Sequence, residues 1–208
     1  MENFKFVPHK KCYSGDYQRF INNLARINSK KFEGHHVGST SVLGLGGKGI
    51  IDVLICVRNW KESENIINSL NNVGIIYRWP RTNGRIFLSN KKKNSREGDF
   101  HIHIVRKGTK QHNDIIRFRN ILRQNNLISR DYKKVKILAF KLSKGNRFCY
   151  KHFKERFIKT TLDDTTAKAE PSTGSCGQVW RLGGEQSEPQ HSQPGGTSTN
   201  HIDSRLSM

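Results

Sequence analysis

The sequence feature that most constrains the fold is the apolar run Ile50–Val57, which contains a single carboxylate, Asp52. An unbroken run of this kind is typical of a strand that is buried on both faces of a central sheet. An ionised carboxylate is almost never left in such a strand unless a charge or a metal ion compensates it. We therefore predict a central strand here, with Asp52 as either a functional group or one half of a structural ion pair.

A glycine-serine turn precedes this strand, in the segment Val37–Ser41. Such a turn can present backbone N–H groups and hydroxyls to a phosphate. An aspartate on a neighbouring strand can hold the divalent ion that accompanies the phosphate. We therefore take Gly38, Ser39 and Thr40 as candidate phosphate ligands, and Asp52 as a candidate metal ligand and catalytic residue.

Four separate pieces of the chain share the pattern of one family. They are His35–Val53, the strand-like Phe100–Val105, the helix-like Phe118–Leu122, and a closing pattern made by Tyr132, Lys136, Tyr150, Lys154, Phe157 and Ile158. Together they resemble the GrpB-type family, which is assigned to the nucleotidyltransferase-fold superfamily. The resemblance implies an α/β (α+β) fold with a mixed sheet, flanking helices and a helical C-terminal half.

The chain departs from the family pattern at several positions. His35 replaces a glutamate, Leu43 and Gly49 replace prolines, and Asn120 replaces an acid. Catalytic members of the wider superfamily carry a second acid two residues after the first, where this chain has Leu54. Two carboxylates on one strand face allow two metal ions to lie close together and activate an attacking hydroxyl. A single carboxylate, Asp52, argues against such a two-metal site.

The histidines His101 and His103 are the other candidate catalytic and metal-ligating residues. Residues two apart on a strand share a face, and imidazoles ligate transition metals well. Manganese or zinc would then suit the site better than magnesium, which prefers oxygen ligands. The alternative is that these rings only form hydrogen bonds on a half-exposed sheet face. Of the adjacent residues His35 and His36, at most one can face the site, and the resemblance favours His36.

Two basic residues complete the predicted ligand-binding set. Lys48 lies between a glycine-rich loop and the Asp52 strand, where an ammonium group can neutralise a triphosphate. The loop lacks the spacing of a Walker A motif, so an ordinary flexible turn is the alternative. Among the arginines of the next helix, Arg119 is preferred because it falls in the family-like Phe-Arg element.

The charge of the chain favours a polyanionic partner. The formal net charge is +20 over 208 residues, while residues 163–208 hold three basic and six acidic residues. The excess therefore lies in residues 1–162, and it favours a nucleotide, a nucleic acid or an anionic surface. Biased genomic composition is the alternative explanation. The basic loop Asn90–Arg96 is interpreted as a solvated tip, or as a contact to a phosphate backbone.

Periodicity and capping signals predict the order of the elements. Predicted helices lie near residues 14–29, 60–73, 110–125, 130–143 and 147–161. Besides the Asp52 strand, predicted strands precede the glycine-serine turn and lie near residues 75–79, 85–88 and 100–105. The last three of these helices are expected to follow an α/β half and form the helical half behind it. Apolar residues keep helical spacing in the second and third of the three, at Tyr132, Val135, Ala139 and Leu142 and at Tyr150, Phe153 and Phe157.

We predict one domain over residues 1–162 and a disordered tail over residues 163–208, because the tail has few apolar residues and no periodicity. The four cysteines contain no Cys-x-x-Cys pair, so neither a disulfide framework nor a zinc ribbon is predicted. No apolar run approaches the length of a membrane span, and the N-terminus lacks a signal-like core. A cytoplasmic location is the default expectation.

The leading functional prediction is an enzyme that binds a nucleoside triphosphate with a divalent ion and transfers a nucleotidyl group to an unknown acceptor. The alternative is a noncatalytic basic module that binds a nucleotide or a nucleic acid. The acceptor, the nucleobase preference and the oligomeric state are not predicted from the sequence.

Overall fold

The computed structural model describes residues 6–82, 84–90, 99–144 and 146–167 of the chain. Ten helices and strands and one short 3-10 turn, Ser39–Ser41, make up this part. In chain order they are α1 (Cys12–Ile27), β1 (Glu33–Val37), β2 (Ile51–Val57), α2 (Trp60–Asn72), β3 (Tyr77–Thr82), β4 (Arg85–Ser89), β5 (Phe100–Arg106), α3 (Lys110–Gln124), α4 (Asn126–Ser143) and α5 (Arg147–Ala167).

The five strands form one mixed sheet in the order β1-β2-β5-β4-β3. β2 is parallel to β5, and the other neighbouring strands are antiparallel. In this register Asp52 lies between Val37 of β1 and His101 of β5, and Leu54 lies opposite His103. The predicted mixed sheet with flanking helices is therefore confirmed, and the Asp52 strand is internal to it.

The two faces of the sheet pack against different helices. On one face Val53 and Ile55 of β2, both 0% exposed, join the main core with residues of α1 and α2. On the other face Leu54 and Cys56 of β2 form a smaller cluster with Val105 and two partly buried isoleucines of α3. Because side chains alternate along a strand, Asp52 lies on this second face.

The helical half packs through α4 and α5, and Tyr132, Ala139 and Tyr150 are buried as predicted. The periodicity of the sequence placed Leu142 and Phe153 among the apolar stripes, but they are 55% and 42% exposed. Lys136 is buried instead, one helical turn after Tyr132. The chain can bury this lysine because its ammonium group lies over the rings of Phe6 and Tyr132 and donates to the carbonyl of Gly46.

The helix ends agree with the predictions to within a few residues, with two informative exceptions. The Asn59 side chain accepts from the N–H of Glu62 and caps α2, as the sequence indicated. α4 begins at Asn126 rather than near residue 130, because the Asn125 side chain caps it. α5 continues to Ala167, beyond the predicted end at residue 161, because Leu162 is buried.

Two expectations lie wholly or mostly outside the described residues. They are the tail predicted over residues 163–208 and the basic loop predicted over residues 90–96. Residues 163–167 of the tail belong to α5, which corrects that part of the prediction, and the rest of the tail and residues 91–96 lie outside the described residues. None of the helices within the described ranges combines the length and the apolar character that crossing a bilayer requires.

Candidate functional site

Asp52 packs against Gly38, and any other residue at position 38 would displace the Asp52 side chain. Gly38 leaves β1 with φ +68°, and a Cβ atom built on it would lie 2.1 Å from Oδ2 of Asp52. The chain then turns through the 3-10 segment that carries Ser39 and Thr40. The glycine-serine turn and the carboxylate, which are separated in sequence, are therefore in direct contact in the fold.

Two histidines hold the other side of the carboxylate. Oδ1 of Asp52 lies 3.4 Å from Nε2 of His103 and 3.5 Å from Nδ1 of His101. Phe87 packs against both imidazoles, with ring centroids 5.0 and 5.3 Å away. The Asp52 side chain keeps 24% of its surface exposed, so a ligand can reach it. The structure thus brings together the three residues predicted to be catalytic.

The electrostatic surroundings keep Asp52 ionised. Burial would raise the pKa of this carboxyl, but the hydrogen bonds and charges of His101 and His103 lower it below its ordinary value. Burial lowers the pKa of His103, against the opposing pull of Asp52, so its imidazole favours the neutral form. Its Nδ1 atom is buried and has no hydrogen-bond partner within the described part of the chain.

Two lysines, Lys136 and Lys154, interact with the charge of this carboxylate, and Lys48 interacts with Lys154. Nζ of Lys136 lies over the rings of Phe6 and Tyr132, and both Lys48 and Lys154 lie over the ring of Tyr150. Burial and the charge of Lys154 lower the pKa of Lys136 to about 7, against the attraction of Asp52, which raises it. Burial also lowers the pKa of Lys154, again against the attraction of Asp52. The result is a partly desolvated cationic cluster next to an anion.

A second glycine leaves room for this cluster to meet the glycine-serine turn. A Cβ atom on Gly47 would lie 2.6 Å from Nζ of Lys136 and 2.8 Å from Oγ of Ser39. The ammonium and the hydroxyl therefore border the same small space. We call the surroundings of Asp52, Gly38, Ser39 and Lys136 the Asp52 recess.

Lys136 and Lys154 were not among the site residues predicted from the sequence. Both belong to the closing pattern that supported the family resemblance, and Lys136 follows Tyr132 at a spacing of four residues. A lysine on the inward side of a predicted helix is the signal that could have identified it, because lysine is almost never fully buried without a partner.

His36, Thr40 and Arg119 lie behind the turn rather than in the recess. His36 pairs with Val53 in the sheet register, which places it on the face opposite Asp52, whereas His35 shares the face of Asp52. Nε2 of His36 lies 3.0 Å from Oγ1 of Thr40. We expected His36 to be the histidine facing the site, and the register corrects this expectation.

The contacts of these three residues stabilise the turn. Thr40 donates its hydroxyl to the carbonyl of Ile50 at 3.2 Å, and therefore accepts from Nε2 of His36. The His36 ring is stacked on Tyr17, and burial lowers its pKa to about 4, so it is neutral. Arg119 donates to the carbonyl of His36 at 3.3 Å. Their geometry therefore favours a positioning role over ligand contact.

Comparison with known proteins identifies the family. A sequence profile described as GrpB protein matches residues 3–164. The chain belongs to the GrpB family. Over 110 residues this GrpB-family chain is 32% identical to a UPF0157 protein of Halalkalibacterium halodurans, and the match covers 53% of the chain and 55% of that relative. The chain thus spans about half the length of the curated relative it matches.

Solved structures are similar to this GrpB-family chain over much of its length. The crystal structure of the conserved protein GrpB from Enterococcus faecalis aligns with a TM-score of 0.65 and 23% identity, covering 78% of this chain and 99% of that chain. The poly(U) polymerase Cid1 bound to MgATP aligns with a TM-score of 0.42 and 13% identity, covering 62% of this chain and 45% of that chain. The first likeness shows that the chain has the GrpB fold.

Proposed function

We propose that this GrpB-family chain binds a nucleoside triphosphate together with one divalent cation in the Asp52 recess, and transfers a nucleotidyl group to an acceptor. The observation that carries the proposal is the direct contact between Gly38 and an ionised Asp52, with the Lys136 ammonium bordering the same turn. An anion and a cationic cluster side by side, both partly desolvated, form a site suited to a metal–phosphate pair.

The donor atoms around Asp52 fit a divalent cation. One carboxylate oxygen faces two imidazole nitrogens, and this mixture of oxygen and nitrogen suits manganese or zinc better than magnesium. Asp52 and His103 would hold the ion, and Phe87 fixes the orientation of the imidazole. When bound, the ion would supply positive charge to the phosphates, as metal ions do in phosphoryl transfer.

The lysines supply the remaining positive charge. Lys136 lies in a dry, aromatic environment that disfavours its protonated form, and a phosphate bound beside it would restore that form. Ser39 offers a hydroxyl to the same space, and Lys154 and Lys48 extend the positive charge away from it. Loss of water from around these groups strengthens their attraction to the phosphates.

The acceptor would approach from the sheet face that carries the histidines. In the proposed reaction the acceptor oxygen attacks the α-phosphorus of the nucleotide, pyrophosphate leaves, and the acceptor proton moves to an imidazole. His101 is the more exposed of the two histidines and is the one we assign to acceptor contact.

One observation favours a second function, a noncatalytic module that binds a nucleotide or a nucleic acid. The position of a second metal-binding acid is occupied by Leu54, which is 0% exposed in the cluster beneath α3. A carboxylate at this position would be fully buried, with His35 and His103 opposite it in the sheet register, and burial of a second charge is costly. The net charge of +20 is consistent with binding to a polyanion.

The deciding experiment is a thermal-shift titration of the full chain with each nucleoside triphosphate in the presence of magnesium, manganese or zinc. The variant is Asp52→Asn, which keeps the size of the side chain, and the matched control is Asp131→Asn on the exposed surface of α4. We expect a metal-dependent rise of the melting temperature that the first variant loses and the second retains, because only binding to the native state produces it.

Transfer itself is tested by incubating the full chain with a labelled nucleoside triphosphate, a divalent cation and RNA as a candidate acceptor, and following both pyrophosphate release and label transfer. Nucleotide binding without release would support the noncatalytic module. A salt-sensitive affinity for RNA that is equal in the parent and in Asp52→Asn, with no nucleotide-dependent shift, would contradict the proposed site at Asp52.

A further inference from the structure

A second group of metal-binding side chains lies on the same sheet face, away from the Asp52 recess. Its members are Glu33, His35, Cys56 and His112, and their potential ligand atoms all lie within 4.8 Å of one another. Cys56 follows Asp52 by four residues along β2, so the two groups are separated by about 13 Å along the strand. None of these four side chains belongs to the proposed nucleotide site.

The fold explains why these residues meet. Glu33 and Cys56 are directly paired between β1 and β2, and His35 lies two residues after Glu33 on the same face. His112 lies in the first turn of α3, which the Thr109 side chain caps. Three ligands thus come from two paired strands and the fourth from a helix packed on them.

The donor atoms match one metal better than others. One thiol sulfur, two imidazole nitrogens and one carboxylate oxygen are all ligands that zinc accepts, in a tetrahedral arrangement. A thiolate with imidazoles disfavours magnesium and calcium, which prefer oxygen. Four protein ligands leave no open coordination position, and closed sites of this kind are structural rather than catalytic.

Neighbouring groups already orient two of the four ligands. Nδ1 of His112 lies 2.9 Å from Oδ1 of Asn113 and 3.4 Å from the backbone nitrogen of Gly108, which leaves Nε2 available. Oε2 of Glu33 accepts from Lys107 at 2.7 Å, while Oε1 lies 2.9 Å from Nε2 of His35. Such outer contacts fix the orientation of metal ligands in established sites.

We propose that Glu33, His35, Cys56 and His112 form a structural zinc site that joins the β1–β2 edge of the sheet to the first turn of α3. The proposal does not depend on the proposed function, because it concerns different side chains. The competing interpretation is that these residues form only the ion pairs of Glu33 with Lys107 and His35.

The first test measures metal content and spectrum of the full chain. The protein is loaded with zinc, freed of excess metal, and analysed for bound zinc; cobalt is then substituted to report the ligands. We expect one equivalent of zinc, and a cobalt spectrum with a thiolate-to-metal charge-transfer band and the intense visible bands of four-coordinate cobalt. Absence of tight zinc binding, or a cobalt spectrum without the thiolate band, would overturn the proposal.

Variants identify the ligands. Cys56→Ser and His112→Ala should each remove the charge-transfer band or weaken zinc affinity. The loss of affinity should exceed the roughly 10 to 100-fold that follows the loss of a residue that only contacts a ligand. The matched controls Cys149→Ser and His152→Ala, both on the exposed surface of α5, should bind as the parent does. Far-ultraviolet circular dichroism of each metal-free variant confirms that it is folded.

Two further outcomes separate this site from others in the chain. Asp52→Asn must leave the thiolate-to-cobalt band unchanged, because no thiolate belongs to the proposed nucleotide site, so that failure of the nucleotide proposal and failure of this one are distinguishable. If the band survives in Cys56→Ser and disappears in Cys176→Ser or Cys12→Ser, the metal lies elsewhere and the proposal is wrong.

Discussion

Adjacent residues of the central strand β2 have opposite surroundings. Val53 and Ile55 face α1 and α2 in a core from which water is fully excluded, while Asp52 faces two histidines and a group of lysines. The first face is apolar, while the second combines a smaller apolar cluster beneath α3 with the charged groups around Asp52. One strand thus separates stability from chemistry by the alternation of its side chains.

The largest effect on stability should come from a substitution on the apolar face of β2. Ile55→Ala removes a side chain that is 0% exposed, and large-to-small changes of this kind lower the free energy of unfolding by about 2–5 kcal/mol. Chemical denaturation of the full chain measures the change. Ile76→Ala, at a position 60% exposed, is the control and should stay within about 0.5 kcal/mol of the parent. A changed nucleotide affinity in folded Ile55→Ala protein would contradict the conclusion that the two faces have separate roles.

A smaller effect on stability, with a large effect on binding, is expected at the turn. Gly38→Ala and Gly44→Ala both place a Cβ at positive φ, +68° and +75°, but only the first meets Asp52, since nothing lies within 4 Å of the second. Gly44→Ala should lose about 1–2 kcal/mol of stability to backbone strain, and Gly38→Ala should lose more, because its Cβ also displaces Asp52. Gly38→Ala should lose metal-dependent nucleotide binding as well, and Gly44→Ala should retain it.

Thermal-shift titration of both variants beside the parent measures this difference. Equal binding in the two variants would show that the contact between Gly38 and Asp52 has no part in the site.

The smallest effect is a pH dependence at Lys136. Its pKa is lowered from 10.5 to about 7 in the native state, so between these pH values the unfolded chain binds the extra proton. The free energy of unfolding must therefore rise as the pH increases from about 7 to 10.5. The cost of burying the charged ammonium is greatest below pH 7. Relative to the parent, Lys136→Met should be most stabilising at low pH, and its advantage should shrink as the pH rises.

Urea denaturation of parent and variant at several pH values between 6 and 10 measures this trend. Lys134→Met is the control, because Lys134 is exposed. The difference in free energy of unfolding between Lys134→Met and the parent should stay constant over this pH range. A constant difference between Lys136→Met and the parent would show that Lys136 is not desolvated.

The sequence by itself determined the elements of this protein. The apolar run of β2, the Asn59 cap of α2 and the helical periodicities all act over a few residues, and local patterns of this kind decide which segments become helix or strand. Asp52 stood out for the same reason, because a carboxylate inside an apolar run needs a partner wherever the run lies. The likeness to the GrpB family was also readable from short motifs.

Only the tertiary structure decided which side chains meet. The register of β1 against β2 placed His35 rather than His36 on the face of Asp52, and no local pattern specifies that choice. The packing of α4 brought Lys136 to Ser39, and the packing of α3 brought His112 to Cys56. Pairing register and helix packing are set by the whole hydrophobic core, because a shift of one residue would exchange the two faces of a strand. The charges and ligands of both candidate sites follow from that arrangement.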